Sequence, residues 1–79
     1  MLAIQAPEKP ISVKELAIFE YIKSFIEANQ LPPSHREIMA GCGLSSTSVV
    51  KYQLEKLRKR GLIRIIENRA RGIQIVNPE

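Results

Sequence analysis

Leu31-Pro32-Pro33 lies between two apolar stretches of helical period, and no single helix can run through it. A proline pushes the residue before it out of helical geometry, so a helix arriving from the N-terminal side must stop near Asn29. Directly after the prolines, Ser34-His35-Arg36-Glu37 has the pattern of a capping box, in which serine and glutamate side chains satisfy the free amides of a helix start. One helix therefore ends and another begins within a few residues. The second is expected to be short, with Gly41 and Gly43 breaking it, and a third follows the turn Gly43-Leu44-Ser45.

The flanking pattern completes the helices. Ser12-Val13-Lys14-Glu15 is another capping box, and Ile11 and Leu16 are spaced as a hydrophobic staple around it. Ile18, Ile22, Phe25 and Ile26 then recur at three- and four-residue steps, with Leu16 and Phe19 widening the stripe expected to be buried. In the second helix Ile38, Met39 and Cys42 turn inward, with Cys42 read as a small core residue. Ser45 or Ser46 caps the third helix, Val50, Leu54 and Leu57 face the core, and Gly61 closes it. Its opposite face carries Ser46, Ser48, Val49, Lys51, Tyr52, Glu55 and Lys56, small residues first and longer polar ones after. Two helices joined by a glycine turn, with an unobstructed start to the second, form the outline of a helix-turn-helix, which lays that second helix in the major groove of DNA.

After Gly61, Leu62–Ile66 and Gly72–Val76 are rich in β-branched residues and are joined by the polar turn Glu67-Asn68-Arg69-Ala70. A two-stranded ribbon is not stable alone and must pack on the helices. The fold class expected is mainly α with a small antiparallel β-hairpin: a three-helix winged helix-turn-helix over residues 11–76. Residues 1–10 are expected to form a flexible N-terminal arm, whose Leu2 and Ile4 can rest on the domain, and 77–79 a C-terminal tail or the start of a linker.

Charge is unevenly placed. The net +4 arises from Lys51–Arg71, where eight basic residues meet only Glu55 and Glu67. That is the distribution of a surface that meets a polyanion. Phosphate contacts are expected from Lys56, Lys59, Arg64, Arg69 and Arg71. Ser34, His35 and Arg36 at a helix start add free amides and the positive end of the dipole. One cysteine and one histidine permit neither an internal disulfide nor a structural zinc site. No nucleophile–base pair or metal cluster points to an enzyme, and no cofactor or small-molecule ligand is evident. No apolar run approaches the roughly 18 residues of a membrane span, so a cytoplasmic protein is expected.

Pro32-Pro33-Ser34-x-Arg36-Glu37-Ile38, Gly43-Leu44-Ser45-Ser46, Leu54-x-x-Leu57-x-x-x-Gly61-Leu62-Ile63 and Arg71-Gly72-Ile73 occur in that order and at spacings that resemble the DNA-binding domain of the LexA family of SOS-response repressors. The similarity runs without gaps from about Ile11 to Val76. It implies a double-stranded DNA partner, a palindromic operator bound as a homodimer, and repression of transcription. Carried over by position, base reading falls at Ser46, Ser48, Val49, Lys51 and Tyr52, and backbone contact near Ser34, His35 and the wing arginines. Lys51 and Tyr52 depart from the family pattern of acidic or small residues. Lysine can donate to guanine O6 and N7, and tyrosine can pack on a thymine methyl or meet a phosphate. The family's self-cleaving serine-lysine domain has no counterpart in these residues, so self-cleavage is not expected of them. The chain reads as part of a longer protein or as a free-standing regulator. In solution a monomer or weak dimer is expected, since there is no heptad seam. The alternative reading, a winged-helix adaptor that binds an acidic protein partner, uses the same Tyr52, Val49 and basic run.

Overall fold

Both capping boxes form as their spacing requires. In this computed structural model, which describes residues 10–76, α1 spans Val13–Asn29, α2 His35–Cys42 and α3 Thr47–Lys59. The Ser12 hydroxyl accepts from the Glu15 amide at 3.1 Å while the Ser12 amide donates to the Glu15 carboxylate at 2.9 Å. Ser34 and Glu37 repeat the arrangement at 3.2 and 2.8 Å. Ser46 caps α3, its hydroxyl accepting from the Val49 amide at 3.3 Å. The expected 1–10 arm, apart from Pro10, and the 77–79 tail lie outside the described residues.

The helix ends use left-handed residues. Gln30 closes α1 at φ 65° and Gly43 closes α2 at φ 67°. Past α3, Gly61 adopts φ +79°, its amide donates to the Arg58 carbonyl at 2.9 Å, and the Leu62 amide reaches the Leu57 carbonyl at 3.1 Å. That pair of bonds is a Schellman motif, and it turns the chain into the first strand. Gly41 does not break α2 but lies inside it. Its missing side chain serves packing instead, because the Tyr21 ring of α1 occupies the space a Cβ would take.

β1 (Ile63–Ile65) pairs antiparallel with β2 (Ile73–Ile75), Ile63 facing Ile75 and Ile65 facing Ile73. The strands are shorter than the apolar runs suggest. Single bonds still extend the pairing at each end, from the Ile66 amide to the Gly72 carbonyl at 2.6 Å and from the Val76 amide to the Leu62 carbonyl at 3.0 Å. Gly72 is required there, since a Cβ would strike the Ile66 carbonyl.

Ile18 and Ile22 of α1, Ile38 of α2, Val50, Leu54 and Leu57 of α3, and Ile63 and Ile73 of the hairpin form the buried core. Phe19 and Ile26 flank it half-buried, as do Met39 and Cys42. Leu16 departs from expectation and stands 44% exposed. The inner position of the first turn belongs to Glu15, which is only 1% exposed. Glu15, Ile18 and Ile22 stand three and seven residues apart, so the buried stripe begins on a carboxylate. Among the described residues no helix is long and apolar enough to cross a membrane.

Candidate nucleic-acid interface

The outward face of α3 presents most of the residues singled out from its sequence. Ser48, Lys51 and Tyr52 are exposed, Tyr52 by 62%, while Ser46 and Val49 are half-buried. The Ser46 hydroxyl already accepts from the Val49 amide, which leaves its own O–H as the group able to donate outward. The inward face holds one residue the apolar stripe did not reveal. Gln53 is buried, and its Oε1 has no hydrogen-bond partner among the described residues.

Two clefts border this helix. One of about 200 Å³ separates α3 from the hairpin and is lined by His35, Lys51, Leu54, Asn68 and Arg69 among others. A wider one of about 350 Å³ is framed by Ser34, His35 and Arg36 at the start of α2, Thr47 and Lys51 on α3, and Arg69 and Ala70 at the hairpin tip. Three separate elements thus bring a helix start and several basic side chains to one concavity. Ser34 spends its hydroxyl on the cap, so what α2 offers an anion here is the His35 and Arg36 amides and the dipole end.

Two of the expected phosphate contacts are committed elsewhere. Arg71 forms a fork on Glu37, Nη1 to Oε1 at 2.7 Å and Nη2 to Oε2 at 2.9 Å, and Nη1 also donates to the Pro32 carbonyl at 2.8 Å. Such paired, charge-assisted bonds are strong and geometrically specific. Arg71 therefore ties the hairpin to the start of α2 through a side chain that stays partly exposed. With the Ser34 amide's help, it holds the Glu37 carboxyl down to about 2. It also neutralises a carboxylate that would otherwise repel a phosphate at that helix start. Lys56 is the second: its Nζ lies 3.4 Å from Glu15 Oε2 and 5.3 Å from the centre of the Tyr52 ring. Lys59, Arg64, Arg69 and Arg36 are exposed and make no ion pair among the described residues.

Glu15 was legible only as a cap. In the fold its Oε1 accepts from the Ser12 amide at 2.9 Å and from Arg60 Nη2 at 3.1 Å. Arg60 continues to the Pro10 carbonyl at 3.0 Å. The Ser12 amide, followed by Lys56 and Arg60, lowers the Glu15 pKa against the opposing effect of burial. Its place on the buried stripe was the available signal. The Glu37–Arg71 pair spans 34 residues and left no local signal. Cys42 is half-buried, and burial raises its pKa, as suits a packing residue rather than a reactive thiol.

Three helices with a glycine turn between the last two, followed by a hairpin packed on the final helix, define a winged helix-turn-helix. Comparison with known proteins narrows the class. The family model of the LexA DNA binding domain matches residues 8–72. The LexA repressor of Clostridium novyi (strain NT) is 49% identical over 63 residues, covering 80% of this chain and 31% of that protein. The LexA repressor of Clostridium botulinum (strain Hall) is 43% identical over 65 residues, 82% of this chain and 32% of that protein. That of Acetivibrio thermocellus is 40% identical over 70 residues, 89% of this chain and 33% of that protein. The chain belongs to the LexA DNA-binding domain family, and it spans about a third of the length of these curated relatives.

Proposed function

We propose that this chain binds double-stranded DNA sequence-specifically, as the DNA-reading part of a LexA-like transcriptional repressor, with two copies paired on a palindromic operator. The observation that carries the reading is the concavity shared by the start of α2, Lys51 and Arg69, set beside the exposed first half of α3. In it α3 enters the major groove, where Ser46, Ser48, Val49, Lys51 and Tyr52 meet base edges. Lys51 donates to guanine, and the Tyr52 ring packs on a thymine methyl. The amides of His35 and Arg36, together with Lys59, Arg64 and Arg69, hold phosphates and fix the register. Arg71 and Lys56 act from within the domain. The relatives' name, repressor, supports the transcriptional role.

Fluorescence anisotropy across a salt series tests this division of labour. Each phosphate contact contributes about 0.9 to the slope of log K against log salt. Replacing Lys59, Arg64 or Arg69 by alanine should lower the slope by that amount each, on any duplex. Lys56→Ala should leave it unchanged. Lys51→Ala should cost about 1–3 kcal/mol on the preferred site and little on random DNA. No saturable binding to duplex DNA at low salt refutes the reading.

A further inference from the structure

Tyr52 and Lys56 stand one turn apart on α3, and the Lys56 ammonium covers the Tyr52 ring at 5.3 Å from its centre. That ammonium is not loose. It lies 3.4 Å from Oε2 of Glu15, whose side chain is 1% exposed. The other oxygen, Oε1, is taken by the Ser12 amide and Arg60. Oε2 has no well-directed hydrogen bond among the described residues, and Lys56 is the cation that faces it. Moving Lys56 away strands part of a buried carboxylate charge, which holds the lysine in place. A cation over an exposed aromatic face favours one ring placement by a factor of roughly 2–5, and here the cation itself is anchored from the core.

We propose that Glu15 is a positioning residue for sequence reading: through Lys56 it fixes the Tyr52 ring on the face of α3 that meets base edges. The inference rests on the DNA-reading function above and adds a residue of α1, behind the recognition helix, to its specificity. The arrangement also withholds Lys56 from the phosphates. The domain gives up one nonspecific contact in exchange for an ordered aromatic group at the point where it departs from the family pattern.

Glu15→Gln tests this, since it preserves side-chain length and the acceptor for the Ser12 amide while removing the charge. In the free protein, the upfield ring-current shift of the Lys56 methylenes should collapse toward random-coil values. On DNA, the released lysine should steepen the salt slope by about 0.9, and preference at the base pair facing Tyr52 should fall by a factor of roughly 2–5. A merely structural role for Glu15 lowers the melting temperature and moves none of these. Lys56→Met keeps the apolar stem and leaves Glu15 its Ser12 and Arg60 partners, so it serves if Glu15→Gln does not fold. It should lose the same base preference without steepening the slope. Wild-type binding together with unchanged preference in the folded variants overturns the positioning role alone. A wild-type protein that binds no duplex overturns the DNA reading and the positioning role with it.

Discussion

Gly41→Ala puts two physical effects in direct opposition. In a helix interior the exchange is normally stabilising by about 0.8–1 kcal/mol, because glycine loses more backbone entropy than alanine. Here a Cβ at position 41 would lie 2.5 Å from Tyr21 Cζ and 2.6 Å from its Oη. Carbon atoms rest at about 3.5–4.0 Å, so the ring must retreat by roughly 1 Å or more. It cannot do so freely. Tyr21 is half-buried, tilts against Phe25 at a centroid distance of 6.0 Å, and donates its hydroxyl to the Glu37 carbonyl at 3.2 Å. Overpacking of this kind costs about 1–3 kcal/mol, so the net change should be a loss of up to about 2 kcal/mol. For a domain of this size that lowers the melting temperature by roughly 4–8 °C per kcal/mol. Circular dichroism during thermal and urea unfolding reads it directly. With Tyr21→Ala removing the ring, the same Gly41→Ala change should become stabilising by up to about 1 kcal/mol. A stabilising effect in the wild-type background, or the same sign in both, would show that the Tyr21 ring does not oppose a side chain at position 41. DNA affinity should fall in the single variant if the His35 and Arg36 amides of α2 hold phosphates as proposed.

Three further outcomes follow from named contacts. Gln30 holds φ 65° at the end of α1, so Gln30→Gly should stabilise the domain by roughly 1 kcal/mol in urea unfolding, and a loss would show that its side-chain bond to the Glu27 carbonyl outweighs the strain. Glu37 titrates at about 2 in the fold against an ordinary 4.5, so the stabilisation it gives the wing is present above about pH 4.5 and is lost as pH falls through about 2. A carboxyl-carbon NMR titration should find that low midpoint with the Arg71 and Gly72 amides moving alongside it, whereas a midpoint near 4.5 would show that the Arg71 fork does not persist in solution. Gln53 buries an unpartnered carbonyl oxygen, so Gln53→Met should leave stability unchanged or raise it by about 1 kcal/mol, and a clear loss would reveal a bridging water.

The architecture was written in local signals. Ser12, Ser34 and the Ser45-Ser46 pair mark three helix starts, the double proline separates the first two helices, and Gly61 turns the chain toward the hairpin. Each of these acts within a few residues of itself, so a single sequence displays it. The outward residues of α3 were legible for the same reason, because helical period alone separates Lys51 and Tyr52 from Val50 and Leu54. Long-range pairing of charges was not. Arg71 and Lys56 read as two more cations in a basic run, and only the fold brings Glu37 and Glu15 to them. Gly41 reads as a helix breaker because a glycine that admits a neighbouring ring looks, in sequence, like one that ends a helix. Nothing within α2 announces Tyr21, which comes from the preceding helix.

Whether α3 and the wing read duplex DNA is tested most directly by selection of bound sequences from a random duplex pool. It should enrich a palindrome of two half-sites, with guanine recurrent where Lys51 reaches, and Lys51→Ala should relax that position alone. Recovery of sequences no different from the starting pool would rule out sequence-specific reading by α3.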